Sequence, residues 1–134
     1  MSEVKETSLD LSAIRDNTLD EAVLIIVNPR TNLETPMRVT LLSPDSAEYK
    51  RRLNGQQEKE LKRRRGRGDM TPQEAEASVL ERFVLATVGI EGATVNGTAV
   101  GSSPEEVREL YQTFPWILDQ VILFQGDRKN FFRG

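Results

Sequence analysis

Apolar positions change their spacing several times along the chain. From Ala22 to Val27 they run without interruption and are mostly β-branched, as in a buried strand. Asn28-Pro29-Arg30-Thr31-Asn32 is a turn cluster. From Met37 to Leu42 the pattern alternates, with Met37, Val39 and Leu41 on one face and Arg38 and Thr40 on the other. Two such runs across a turn predict an antiparallel hairpin. A lone hairpin is marginal in water, so its apolar face must lie on helices or on another chain.

The period then becomes helical. Ser43-Pro44-Asp45 predicts a helix start, with Ser43 as N-cap, Pro44 at the first helical position and an acid in the first turn. This helix runs through Tyr49 and Leu53 towards Leu61, with Asn54-Gly55 as a candidate break. Its apolar positions thin out beyond Leu53, which predicts a segment projecting into solvent. Arg65-Gly66-Arg67-Gly68 reads as a flexible break. Thr71-Pro72-Gln73-Glu74 is a capping box, followed by Ala75, Val79, Leu80, Phe83, Val84 and Ala86 at helical spacing. Gly89, Gly92 and Gly97 mark a loop, with a tight turn at Val95-Asn96-Gly97-Thr98. A second capping box, Ser103-Pro104-Glu105-Glu106, opens a helix with Val107, Leu110 and Tyr111 inward. Pro115 restarts the chain as a last helix carrying Trp116, Ile117, Val121 and Phe124 on one stripe, weakened at Gly126 before Phe131-Phe132. The fold class is α+β: an N-terminal β-hairpin followed by about four helices, predominantly helical. Residues 1–20 are polar and irregular and read as a flexible N-terminal arm. Residues 21–134 form a single domain, with a basic helix or linker at 50–70.

Composition removes most catalytic chemistry. A chain of 134 residues supports one modest core. It has no cysteine, hence no disulfide framework and no thiol nucleophile. It has no histidine, hence neither the commonest general base nor the commonest metal ligand. The N-terminus lacks a signal-peptide core, and Ala22–Val27 is too short to span a bilayer, so the expectation is a soluble cytoplasmic protein without membrane contact.

Charge is segregated. Lys50 to Arg67 holds nine of the 18 Lys and Arg residues but only Glu58 and Glu60 among acids, against a body in strong acidic excess. Such a division suggests a polyanion partner or head-to-tail self-association. Phosphate neutralisation would make the block a nucleic-acid site. No aromatic is interleaved after Tyr49 to stack bases, and no nucleic-acid-binding signature accompanies the block, so a solvated or protein-facing cluster is the better reading.

The remaining candidates are weighed in the same way. Glu105 and Glu109 share a helix face and could imitate a metal site, but capping and dipole compensation account for acids there. The glycines lack the strand-to-helix context of a phosphate loop. No catalytic, metal or cofactor-binding residue is assigned, and no enzyme activity is expected. The region near the C-terminus holds the single Trp and most of the aromatics. Ile117 and Val121 read as an ordinary core stripe, whereas Trp116, Phe124, Phe131 and Phe132 are candidate partner anchors, since aromatics are favoured at interface hot spots; Ile117, beside Trp116, is counted with this anchor set. Arg63, Arg64 and Arg65 are candidate electrostatic contacts.

Taken in order, these segments resemble the tail assembly chaperones of long, non-contractile-tailed bacteriophages. The resemblance is carried by a strand-turn-strand, the helix start Pro44-Asp45-Ser46-Ala47-Glu48-Tyr49, a Lys/Arg-rich helix, and the loop Val88-Gly89-Ile90-Glu91-Gly92. It continues through the Ser103-Pro104-Glu105 helix start and Pro115-Trp116-Ile117-Leu118-Asp119-Gln120-Val121, and closes at Asp127-Arg128-Lys129-Asn130-Phe131. It covers roughly residues 20–132. The chain departs from the pattern at Ile90, where the family loop often carries Trp. The resemblance implies a non-enzymatic protein without cofactor. Such a protein binds the tape measure protein, helps recruit the major tail (tube) protein, self-associates, and acts in the host bacterial cytoplasm without entering the mature virion. It also implies that a longer, frameshifted product often accompanies the shorter one. The alternative function is a small nucleic-acid-binding protein using residues 50–67.

Overall fold

The computed structural model describes residues 8–64, 68 and 70–133, without the side chain of Arg64. The predicted hairpin is formed by β1 (Glu21–Val27) and β2 (Glu34–Leu42), paired antiparallel. Its turn is closed by Asn28 N–H donating to Leu33 O (2.9 Å), with Asn32 in the left-handed region at φ 59°. Thr35 Oγ1 donates to Ile26 O (2.6 Å) where the register shifts between Ile25 and Val27.

A third strand, β3 (Thr87–Glu91), completes the sheet in the order β1-β2-β3. The glycines had marked this segment as loop; pairing with β2 makes it a strand, and Leu24, Val39 and Ile90 align across the sheet on the core side. The register shift between Thr40 and Leu41 leaves Val88 out of the pairing and 41% exposed. Gly92 follows at φ 74°, and any Cβ there would run into the Pro36 carbonyl, so only glycine lets the chain leave the strand this way. The expected tight turn is present between β4 (Thr94–Val95) and β5 (Thr98–Ala99), with Asn96 and Gly97 both at positive φ, as a two-residue hairpin turn requires.

Helices of the later chain pack on the core face of the sheet, whereas the first buries no residue. The helices are α1 (Leu11–Asp16), α2 (Ala47–Arg64), α3 (Pro72–Ala86), α4 (Pro104–Thr113) and α5 (Pro115–Gly126), followed by a 3₁₀ turn at Arg128–Phe131. At both predicted capping boxes the N-cap half forms. Thr71 Oγ1 accepts from Glu74 N, and Ser103 Oγ accepts from Glu106 N while donating to Glu106 Oε1 (2.8 Å). The core is a single cluster around Val39, Leu41, Ile26, Tyr111, Val107 and Val121.

Three expectations are corrected. Helix α2 begins three residues after Pro44: Ser46 Oγ caps Tyr49 N (3.2 Å), whereas Ser43 still belongs to the sheet edge, its N–H donating to Asp20 O (2.7 Å). The same helix passes unbroken through Asn54-Gly55. Of the expected flexible arm at 1–20, residues 1–7 lie outside the described residues, 8–16 are exposed, and only 17–19 are tied to the C-terminal tail. Residues 11–16 are helical, Thr18 bridges Phe132, Leu19 N–H donates to Phe131 O (2.6 Å), and Arg133 N–H donates to Asn17 O (2.9 Å). The main chain just before β1 and the C-terminal tail satisfy each other's backbone groups.

Candidate functional site

Helix α5 packs its Ile117-Val121-Gln125 stripe into the molecule at i, i+4, i+8 spacing. Gln125 is buried with a partner: its Nε2 donates to Leu42 O at 3.4 Å. Gln120 clamps the free edge of β1. Its Oε1 accepts from Val27 N (2.9 Å) and its Nε2 donates to Val27 O (2.8 Å), standing in for a neighbouring strand.

The sequence-predicted anchors separate on this framework. Trp116 is half-buried against the core, edge-on to Phe114 with ring centroids 6.5 Å apart. Phe124 is half-buried, edge-on to Phe131 at 5.7 Å. Phe132 is half-buried beside Thr18. Ile117 and Phe131 are only 4% and 1% exposed. Both are core residues in this fold, because the stripe places Ile117 inward and the 3₁₀ turn folds Phe131 under Phe124. The assignment of these two as exposed anchors is corrected accordingly.

The side chain that α5 does present is one the sequence reading passed over. Leu123 is 76% exposed, on the turn beyond exposed Asp119. The signal was available: Leu123 lies off the Ile117-Val121-Gln125 stripe, on the opposite side of the helix. The other strongly exposed apolar residues are Leu11 (70%), Leu61 (71%), Leu33 (67%), Leu9 (63%) and Val23 (53%).

The tail is fixed by polar contacts. Asp127 accepts from Lys129 N (3.2 Å), and Asn130 Nδ2 donates to Phe124 O (2.9 Å). Arg128 reaches across 83 residues to grip Asp45 with Nε (2.7 Å) and Nη2 (3.2 Å). This fork holds the Asp45 carboxyl below its usual range.

The basic block divides in two. Near its start, Glu48 takes Arg51 at 2.6 Å and Arg52 at 2.9 Å, contacts that lower its pKa. Arg52 Nη1 also donates to Leu85 O (2.9 Å), a cation at the C-terminal end of α3. Further along, Lys59, Lys62 and Arg63 are exposed and form no ion pair among the described residues. Arg64 lies on the last turn, and Arg65 falls outside the described residues. Between this half of α2 and α3 lies a groove of about 680 Å³, bordered by Lys59, Lys62 and Arg63 on one wall and by Glu74, Glu81 and Arg108 across it. Glu81 and Arg108 join α3 to α4 through a bidentate pair at 2.6 and 2.9 Å.

Among the described residues no group of three or more His, Cys, Asp or Glu side chains could hold a metal ion, and no helix is long and apolar enough to cross a membrane. Comparison with protein families, with curated proteins and with solved structures finds no match to this chain.

Proposed function

We propose that this protein is a phage tail assembly chaperone. In this reading it binds the helical tape measure protein in the host cytoplasm and helps recruit tail-tube subunits to it. The observation that carries the reading is the exposed apolar surface of α5. Leu123 stands 76% exposed on a helix whose opposite side is locked in the core, with Trp116 half-buried on its first turn. A rigid helix presenting an apolar side chain suits transient cover of an amphipathic client helix. A second support is that Pro44–Tyr49 and Asp127–Phe131, two segments carrying the resemblance, meet through the Asp45–Arg128 pair.

The test is light scattering of the purified chain with and without a tape-measure fragment. A stable complex, lost on Leu123→Glu with helical content and melting unchanged, is the expected result. Undiminished capture by Leu123→Glu would remove α5 from the interface, and no capture at all would remove the chaperone reading.

The alternative, nucleic-acid binding, draws on Lys59, Lys62 and Arg63, which form no ion pair among the described residues. It requires a steep fall in DNA affinity with salt, because each neutralised phosphate releases counterions.

A further inference from the structure

Helix α2 starts anchored and ends free. Tyr49 is buried, and Arg52 is tied to the end of α3, whereas Leu61 on the distal half is 71% exposed. A groove runs between the distal half of α2 and α3, with Ala77 and Ser78 among its lining residues. Small side chains there allow another backbone to come close. The stretch Gln56–Arg63 along the groove corresponds to about 12 Å of helix, roughly two turns.

We infer that this groove seats a helix of another protein that presents an acidic stripe to α2. This rests on the client-binding reading above and adds the chemistry of the partner. The α2 wall offers Lys59, Lys62 and Arg63 within little more than one turn, all exposed and without an ion-pair partner among the described residues. Cations at i, i+3 and i+4 face one direction, so acids at matching spacing on an incoming helix would meet all three. The opposite wall cannot supply that charge in full, because Glu81 is already held by Arg108. Glu60, Glu74 and Glu81 border the same groove. A polyphosphate backbone would be repelled by these carboxylates, and no aromatic side chain lines the groove to stack a base. A protein helix with mixed charge can satisfy both walls, and charge of this kind sets register and speeds encounter.

The test uses the whole chain and two labelled synthetic helices of about 20 residues, long enough to hold helical structure. One carries Glu along one stripe; the other has Lys at the same positions. Single-stranded DNA is the third probe. The Glu-striped helix should bind and the Lys-striped helix should not. The triple variant Lys59→Glu, Lys62→Glu, Arg63→Glu should bind the Glu-striped helix about tenfold or more weakly in dilute salt, with the difference shrinking as salt rises. Ala77→Glu, at an exposed position, should block the groove without changing the cationic wall, and circular dichroism of both variants should match the parent. Equal affinity for both helices, or an unchanged triple variant, overturns the proposal. DNA binding tighter than either helix assigns the surface to nucleic acid and overturns it too. Loss of self-association in the triple variant, with no peptide binding by the parent, would make a second copy the occupant and also overturn it. If the triple variant still captures a tape-measure fragment and Leu123→Glu does not, the groove assignment fails while the chaperone reading stands.

Discussion

Helices α2 and α5 both carry candidate contacts, but they are held by different forces. Helix α5 sinks Ile117, Val121 and Gln125 into the molecule and meets the β1 edge through Gln120. Helix α2 buries Tyr49, rests Leu53 on the core, and then runs into solvent on local support such as the Glu48–Arg51 and Glu48–Arg52 pairs. Burial fixes which face of α5 is left for a partner. On α2 almost every face beyond Leu53 is open, so burial singles out no face there.

The comparison breaks first on the burial side. Phe131 is 1% exposed, packs edge-on against Phe124, and lies under the backbone contacts of residues 17–19. Phe131→Ala should cost about 3–5 kcal/mol in urea unfolding, with the slope against denaturant unchanged. A cost near zero would mean that the tail is a separable appendage and that α5 is not held as described.

A smaller effect comes from Tyr111. Its hydroxyl lies 2.6 Å from Thr87 Oγ1. Thr87 donates its own proton to Phe83 O (2.8 Å), so the tyrosine is the donor in that pair. Burial pushes the phenol up from 10.0 to about 12. The folded state therefore favours the neutral form. This contribution is fully present below pH 10 and is lost as pH rises towards 12, amounting to about 2–3 kcal/mol. Tyr111→Phe should flatten that alkaline loss in pH-dependent melting, while costing about 1–2 kcal/mol near neutrality for the lost hydrogen bond.

On the α2 side the expected effects are smaller and local. Gly55 lies inside the helix, and a Cβ there would meet nothing within 4 Å. Gly55→Ala should stabilise by about 0.5–1 kcal/mol and raise helical content. No gain would mean that the distal half is set by contacts and not by propensity. Smallest is the Asp45–Arg128 pair, whose side chains are 47% and 65% exposed. A double-mutant cycle with Asp45→Asn and Arg128→Gln should give less than about 1 kcal/mol, because solvent screens the pair. The depressed Asp45 carboxyl stabilises the fold above its unfolded pKa, near 3.8, and that contribution disappears as pH falls through the lower folded value.

Most of the architecture was legible from pattern alone. The hairpin followed from a β-branched run and an alternating run across a turn, and the starts of α3 and α4 followed from capping boxes that satisfy orphan amides locally. The third strand was not legible, because Thr87–Glu91 becomes a strand only by pairing with β2. The true start of α2 was also hidden. Ser43 has the chemistry of a cap, but its Oγ accepts only from Asp45 N, whereas Ser46 Oγ accepts from Tyr49 N inside the first turn. The candidate contacts were half legible: the sequence marked α5 and the basic block and gave Ile117 a core reading, but it kept Phe131 as an anchor and passed over outward Leu123.

What the sequence determined by itself were the features set within a few residues: helix caps, turns, the run of positive charge, and the lack of cysteine and histidine chemistry. What only the tertiary structure decided was everything that depends on two distant segments meeting. The β2–β3 register, the Gln120 clamp on β1, the Asp45–Arg128 tie and the groove between α2 and α3 belong to that class. The physical reason is range. Caps and turns are satisfied by neighbouring amides, whereas burial and edge pairing are defined only by the partner that the folded chain brings into place.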